Sequence, residues 1–294
     1  MRGFVLINGY PCNEKFYRQG ERIADALFDL GLPTDVYKNG EVFASYCADG
    51  NVRVHFPREE QYDFAVYLDK DKYLGTMLER SGIRLFNSAR AVENCDDKMR
   101  TYGILAGEGL PLIESIPAPL CYTASAVPNE AFLRSVAQIL QFPLVVKKSY
   151  GSFGDGVRLI PGMPELIEQE REWLHLPHAY QRFVSDSIGR DVRVMVIGGK
   201  VAAAMERVAK TGEFRSNIEL GGEGKKIDLP TSYAATAERA ATALGLDYCG
   251  VDLLCTAQGP VICEVNSNAF FEGLERTTGV DIAQRYALHI RSCL

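Results

Sequence analysis

The sequence predicts an α/β protein in which a parallel-sheet N-terminal domain is followed by a two-part α+β unit. Three observations carry this. Strand-like and helix-like apolar patterns alternate through residues 1–90, as in a βαβ sheet. From residue 127 the pattern changes to a smaller unit in which strands pair across glycine turns. With 294 residues, 47% hydrophobic and 24% charged, the chain is long enough for two or three compact units.

Taken in order, Phe4 to Asn8 reads as a buried strand, and residues 14–30 place Phe16, Ile23, Leu27 and Leu30 at helical spacing. Val36, Val52 to Phe56 and Phe64 to Leu68 follow as strands of the same sheet. One helix from Ala89 to Gly109 closes this part, and prolines 111, 117, 119 and 128 mark a connection. A helix from Glu130 to Leu140 then leads into the strand Leu144 to Lys148, a Gly-rich turn and the strand Val157 to Ile160. The helix Pro164 to Leu174 and the strand Tyr180 to Val184 complete that subdomain. Asp191 to Ile197 and Val201 to Arg207 form a hairpin across Gly198-Gly199. A helix from Ser232 to Leu244, strands Gly250 to Cys255 and Val261 to Asn266, and a helix from Asp281 end the chain. Three segments are expected: 1–90, 91–185 and 186–294.

Composition excludes several classes. Apolar runs fall short of the roughly 18 to 20 residues of a membrane helix, and the opening MRGFVLINGY has too short an apolar block for a secretory signal. A cytoplasmic protein is expected. The eight cysteines are scattered with no C-x-x-C pair, which reads as reduced core thiols. His175 and His178 lack a third ligand nearby and read as an exposed loop. A net charge of −6 argues against a non-specific grip on nucleic acid.

The chemistry concentrates in three places. Asp252 and Glu264 lie in neighbouring strand candidates joined by a short turn, and Asn266 follows Glu264 by two residues, so the three share one face. Magnesium takes hard oxygen ligands, commonly one or two carboxylates with phosphates and water filling the rest. Burying two carboxylates together costs several kcal/mol unless a cation compensates them. Second, Gly151, Gly154 and Gly156 follow Lys147 and Lys148 between two strands, where backbone N–H groups come close to a phosphate and a strand-end lysine adds charge. This is neither a Walker A loop nor a Rossmann fingerprint, since the glycines do not open a helix. Third, residues 206–217 gather Arg207, Lys210 and Arg215, which with Lys98 could neutralise a triphosphate and an oxyanion.

The order of these blocks, VVK with its Gly-rich turn, QRFV, DVRVMVIGGKVAAAMER, FRSN, GVDLL and EVN, resembles the ATP-grasp ligases, most closely the RimK-like branch. The resemblance covers residues 90–294 and implies an N-terminal pre-grasp domain followed by a two-subdomain grasp. It further implies an ATP-dependent carboxylate–amine ligase that makes an amide through an acyl phosphate, with L-glutamate as the added amino acid and a peptide, protein or small molecule as acceptor. A nucleotide-binding module without turnover and a phosphotransferase are the alternatives. ATP and two Mg2+ ions are the implied cofactors, with Mn2+ as a substitute; neither nucleic acid nor membrane is an expected partner, and a homo-oligomer is compatible.

By the same resemblance Asp252, Glu264 and Asn266 fall on the metal ligands, with Glu264 bridging two ions. Lys98 and Lys147 fall on the nucleotide lysines, and Gly151, Gly154 and Gly156 on the phosphate loop. Arg182 and Phe183 sit at the hinge whose backbone holds adenine, and Asp191 at a nucleotide-contacting acid. Arg215, Ser216 and Asn217 reach the nucleotide, and Arg207, with Lys147, is assigned to catalysis at the acyl phosphate. Two departures stand out: Arg182-Phe183 replaces the usual Glu and aromatic, and Ser267 to Gly273 replaces a Ser-Pro-Gly run after EVN.

Overall fold

A computed structural model describes residues 1–10, 14–151, 154, 156–210 and 221–294. The N-terminal part is a parallel sheet in the order β2-β1-β5-β6, built from β1 (Gly3–Ile7), β2 (Thr34–Lys38), β5 (Phe64–Leu68) and β6 (Arg84–Phe86). Helices α1 (Glu14–Asp29) and α2 (Lys72–Arg80) make the crossovers. β1 and β5 are buried at every position, which is why both read as unbroken apolar runs. The segment Val52 to Phe56 does not join this sheet. It forms β4 (Val52–His55), paired antiparallel with β3 (Phe43–Tyr46) in a separate two-stranded ribbon, where no position is fully buried.

The helix expected over residues 89–109 is broken into α3 (Ala89–Asp96) and α4 (Lys98–Gly107). Asp97 has extended backbone, and its carboxylate accepts from Met99 N and Arg100 N, so it starts a new helix where the apolar pattern alone runs on. The central sheet runs β7-β10-β8-β9, from β7 (Ser115–Pro117), β8 (Leu144–Lys148), β9 (Val157–Ile160) and β10 (His178–Arg182). α5 (Glu130–Leu140) and α6 (Met163–Trp173) cover it around Leu133, Trp173 and Tyr180. His178 lies in strand β10 and not in a loop. At 3% exposure its ring meets Glu170 Oε2 at 2.9 Å, and Tyr180 also donates to Glu170; His175 is exposed.

The last sheet runs β13-β12-β11-β14-β15 and is antiparallel. Its strands are β11 (Arg190–Ile197), β12 (Lys200–Val208), β13 (Glu223–Lys226), β14 (Tyr248–Thr256) and β15 (Gly259–Asn266); α7 (Thr231–Leu244), α8 (Glu272–Thr278) and α9 (Ile282–Cys293) flank it. Side-chain alternation, offset at two register shifts, splits its faces. Val192, Val194, Val251, Leu253, Ile262 and Val265 pack under α7 in one core. On the other face Met195, Ile197 and Tyr248 join α1, α9 and the N-terminal strands in a second core, which therefore belongs to both ends of the chain. Each fully buried Val, Leu, Ile or Phe contributes roughly 1.5–3 kcal/mol.

Among the described residues no helix is long and apolar enough to cross a membrane. All seven described cysteines are free.

Candidate active site

The second face of the last sheet changes character along its length. Register places Asp191 opposite Arg207, Arg193 opposite Asp252, Asp252 opposite Glu264, and Gly250 opposite Asn266, so the charged end of one face is assembled from four strands. A register shift between Asp252 and Leu253 inserts Cys263 as an extra residue. This bulge keeps Leu253 and Ile262 in the core while Asp252 still meets Glu264. Gly250 is required here, because a Cβ would stand 2.7 Å from Ala269 Cβ.

Asp252, Glu264 and Asn266 line one cavity of about 400 Å³, together with Lys98 and the loop glycines Gly151 and Gly154. Its opposite wall comes from Asn8, which follows β1, and from Asp69 and Lys70, which follow β5. These lie at the carboxyl ends of the parallel strands, where open α/β sheets bind ligands. Asn8 donates to Asp69 at 3.0 Å and Lys70 pairs with Asp96. Neither Asn8, Asp69 nor Lys70 was legible in the sequence, since only the sheet order brings the loop after β5 beside the loop after β1.

The break at Asp97 sets Lys98 at the head of α4, where its Nζ donates to Gly151 O at 3.2 Å and lies 3.9 Å from Glu264. Lys147 and Lys148 point opposite ways. Lys147 Nζ donates to Cys263 Sγ at 3.5 Å and lines a cavity, whereas Lys148 Nζ sits over the Trp173 ring at 5.2 Å. Gly156 has φ +71°, and a Cβ there would meet the Lys148 side chain at 2.7 Å.

That second cavity, about 110 Å³, lies between the central and last sheets. Ile113, Val145, Phe183 and Leu254 supply apolar walls, and Arg182, Asp191, Arg207 and Glu264 polar ones. The Arg182 side chain is tied to Glu114 at 2.6 Å and to Ile139 O at 2.7 Å, leaving the strand end to face the slot. Arg215, Ser216 and Asn217 lie outside the described residues.

The charge compensation differs from the expectation. Asp252 is 5% exposed, and Arg193 donates to both its oxygens at 2.7 and 2.6 Å. Arg207, 2% exposed, lies 2.9 Å from Asp252 and also donates to Asp191. Burial works to raise the Asp252 pKa, but the Arg193 and Arg207 charges outweigh it and hold it below the ordinary carboxylate value. The chain thus supplies its own counter-cations, and burial of this carboxylate is no argument for metal. Arg193, which faces the large cavity, was missed because in sequence it looks like an ordinary alternating strand residue.

The donor set nevertheless fits a hard divalent ion. Two carboxylates and an amide oxygen share the face, and a carboxylate offers about four acceptor directions, of which the arginines take only part. No group of three His, Cys, Asp or Glu side chains suited to a metal occurs among the described residues, so the amide and non-protein oxygens would have to complete the shell.

Residues 95–290 match the RimK-like ATP-grasp domain. The chain belongs to the RimK-like ATP-grasp family. Among the relatives of this RimK-like chain, beta-citrylglutamate synthase B of Homo sapiens is 34% identical over 258 residues, 87% of this chain and 64% of that protein. A probable alpha-L-glutamate ligase of Thioalkalivibrio sulfidiphilus is 38% identical over 211 residues, 70% of this chain and 67% of the relative. The RimK-like chain therefore spans about 64% of the human relative's length. The ATP-grasp ligase PsnB, solved with minimal precursor, Mg and ADP, shares the fold with a TM-score of 0.70 at 19% identity, covering 99% of this chain and 97% of that one. The α/β architecture with its parallel and antiparallel sheets is the ATP-grasp fold.

Proposed function

We propose that this chain is an ATP-dependent carboxylate–amine ligase that adds an amino acid such as L-glutamate to a carboxylate acceptor. The observation that carries the reading is the Asp252–Glu264 pair, set with Asn266 against Lys98 and the Gly-rich loop around one cavity. The glutamate-ligating relatives and the Mg and ADP of PsnB support it.

In this reading ATP enters the slot between the two sheets, its base against Val145, Phe183 and Leu254 and its phosphates toward Lys147, Lys98 and the glycine loop. Asp252, Glu264 and Asn266 would hold magnesium, which supplies positive charge to the phosphates as they leave. An acceptor carboxylate oxygen bonds to the γ-phosphorus as the bond to the β-phosphate oxygen breaks, releasing ADP. The amine nitrogen then bonds to the acyl carbon, the carbon–oxygen bond to phosphate breaks, and the nitrogen loses a proton. Lysines and backbone N–H groups stabilise the charge that develops; no nucleophilic Ser or Cys takes part. Arg207, which lines the slot and is held by Asp191 and Asp252, keeps the place at the acyl phosphate, and Arg193, on the wall of the large cavity, adds a second cation beside it. The reduced cysteines suit a cytoplasmic setting.

The test is ADP and phosphate release from Mg-ATP across pools of acceptors and amino acids, with mass spectrometry of the products. Release only when acceptor and amine are both present, with a mass gain of one residue, is expected. Release with acceptor alone and a stable phosphorylated product would instead make the protein a phosphotransferase; ATP binding with no release in any pool would make it a binding module.

A further inference from the structure

We propose that a cationic cavity adjoining the large one is a specificity pocket for an acidic amino acid, the amine donor, and that Arg276 reads its carboxylate. The proposal rests on the ligase reading above and adds the residues that choose the amine. This cavity, of about 160 Å³, is lined by Lys15, Arg18, Arg193, Arg207 and Arg276 against one acid, Glu272. Five cations to one acid is the reverse of the whole chain, whose net charge is −6.

The cations differ in how far they are already committed. Arg207 is held between Asp191 and Asp252, and Arg193 by Asp252. Arg18 lies 3.4 Å from Glu272 and 3.6 Å from Glu14, at exposed positions where such pairs are weak. Arg276, exposed at the mouth of this cavity, has no ion pair with any described carboxylate, and it stands in the last turn of α8, one helical turn beyond Glu272. A planar guanidinium without a partner in a concave cationic site matches a carboxylate in two-pronged fashion. A neutral or basic side chain would leave the Arg276 guanidinium without a carboxylate.

The position of the cavity gives the group its direction. Arg193 and Phe270 line both cavities, so a ligand whose carboxylate rests on Arg276 has its other end toward the Asp252–Glu264 face, where the acyl phosphate would form. Both walls come from segments close in the fold but distant in sequence: Lys15 and Arg18 from α1, Glu272 and Arg276 from α8.

Titration calorimetry of the full chain with Mg2+ and a nonhydrolysable ATP analogue, AMPPNP, tests this without turnover. L-Glutamate is expected to bind at least about 10-fold more tightly than L-glutamine, and Arg276→Gln to weaken L-glutamate by about 10- to 100-fold, the range for a charge-assisted pair. Arg276→Lys should recover part of the loss. Glu272→Gln removes the one repelling acid and should strengthen L-glutamate binding, a gain that misfolding cannot imitate. AMPPNP affinity should be the same in every variant. Equal binding of glutamate and glutamine, no glutamate binding, or an unchanged Arg276→Gln variant, each with AMPPNP bound normally, overturns the pocket and leaves the nucleotide site intact. Failure of the wild-type chain to bind AMPPNP overturns both.

Discussion

Asp252 and Glu264 face one another, yet their surroundings ask for different mutational outcomes. Glu264 is partly exposed and its nearest cation among the described residues, Lys98, is 3.9 Å away, so Glu264→Gln should leave folding almost untouched while lowering ATP-driven turnover at least about 100-fold. Asp252→Asn should lose comparable activity and also destabilise the fold by roughly 3 kcal/mol, because it leaves the half-buried Arg193 guanidinium without its carboxylate and takes from buried Arg207 one of its two. Urea unfolding beside steady-state assays separates the two; near-normal turnover in both variants sinks the metal assignment. The acid limb of stability follows as well. The folded-state pKa of Asp252 lies below its unfolded value, so its contribution is complete above about pH 4 and fades as pH falls through the lower folded value. Asp252→Asn should flatten that limb in unfolding curves taken between pH 7 and pH 3. At the neighbouring strand, Lys147→Ala should weaken ATP binding more than Lys148→Ala does. Lys148→Ala should cost about 0.5–2 kcal/mol of stability through its Trp173 contact. Equal losses of ATP affinity would contradict the register of β8.

Elements show where sequence reading holds and where it stops. α5, β8 and β9 stand at the bounds the pattern predicts, since each is a short apolar run with clear turn or cap residues on either side. The Asp252, Glu264 and Asn266 face was legible too, because alternation puts Glu264 and Asn266 on one side and the short turn to the neighbouring strand lets Asp252 join them. What escaped depends on information from elsewhere in the chain. β4 has a strand pattern, but pairing with β3 is a tertiary choice, and the Asp97 break is a cap hidden inside a continuous apolar period. Arg193 became part of the site only once β11 was set beside β14. Two element-scale changes follow. Gly250→Val should disturb the Ala269 contact and displace Arg193, lowering both stability and turnover. Glu170→Ala should cost the central sheet roughly 3 kcal/mol, since His178 and Tyr180 lose a buried partner between α6 and β10, and a melting midpoint unchanged from wild type would refute it.

Across the whole molecule, the two ends of the chain share one apolar core. Ile23 and Leu27 of α1 and Val5 and Phe64 of the first sheet pack with Met195, Tyr248, Tyr286 and Ile290. A fragment beginning at residue 91 would expose that surface and is expected to aggregate or bind a hydrophobic dye, whereas the full chain is not. The same arrangement closes the large cavity between the first and last sheets, so the loops after β1 and β5 face a wall that gathers Lys98, Gly151 and Gly154 with Asp252, Glu264 and Asn266 from far along the sequence.

The twin guanidinium clasp on Asp252 has a practical corollary. Because that carboxylate already has positive neighbours of its own chain, stripping divalent ions with EDTA should stop the proposed ligation without unfolding the protein. Chelated protein should therefore stay folded, its melting point lowered only by what the bound ion itself contributed, and regain full rate when magnesium is returned.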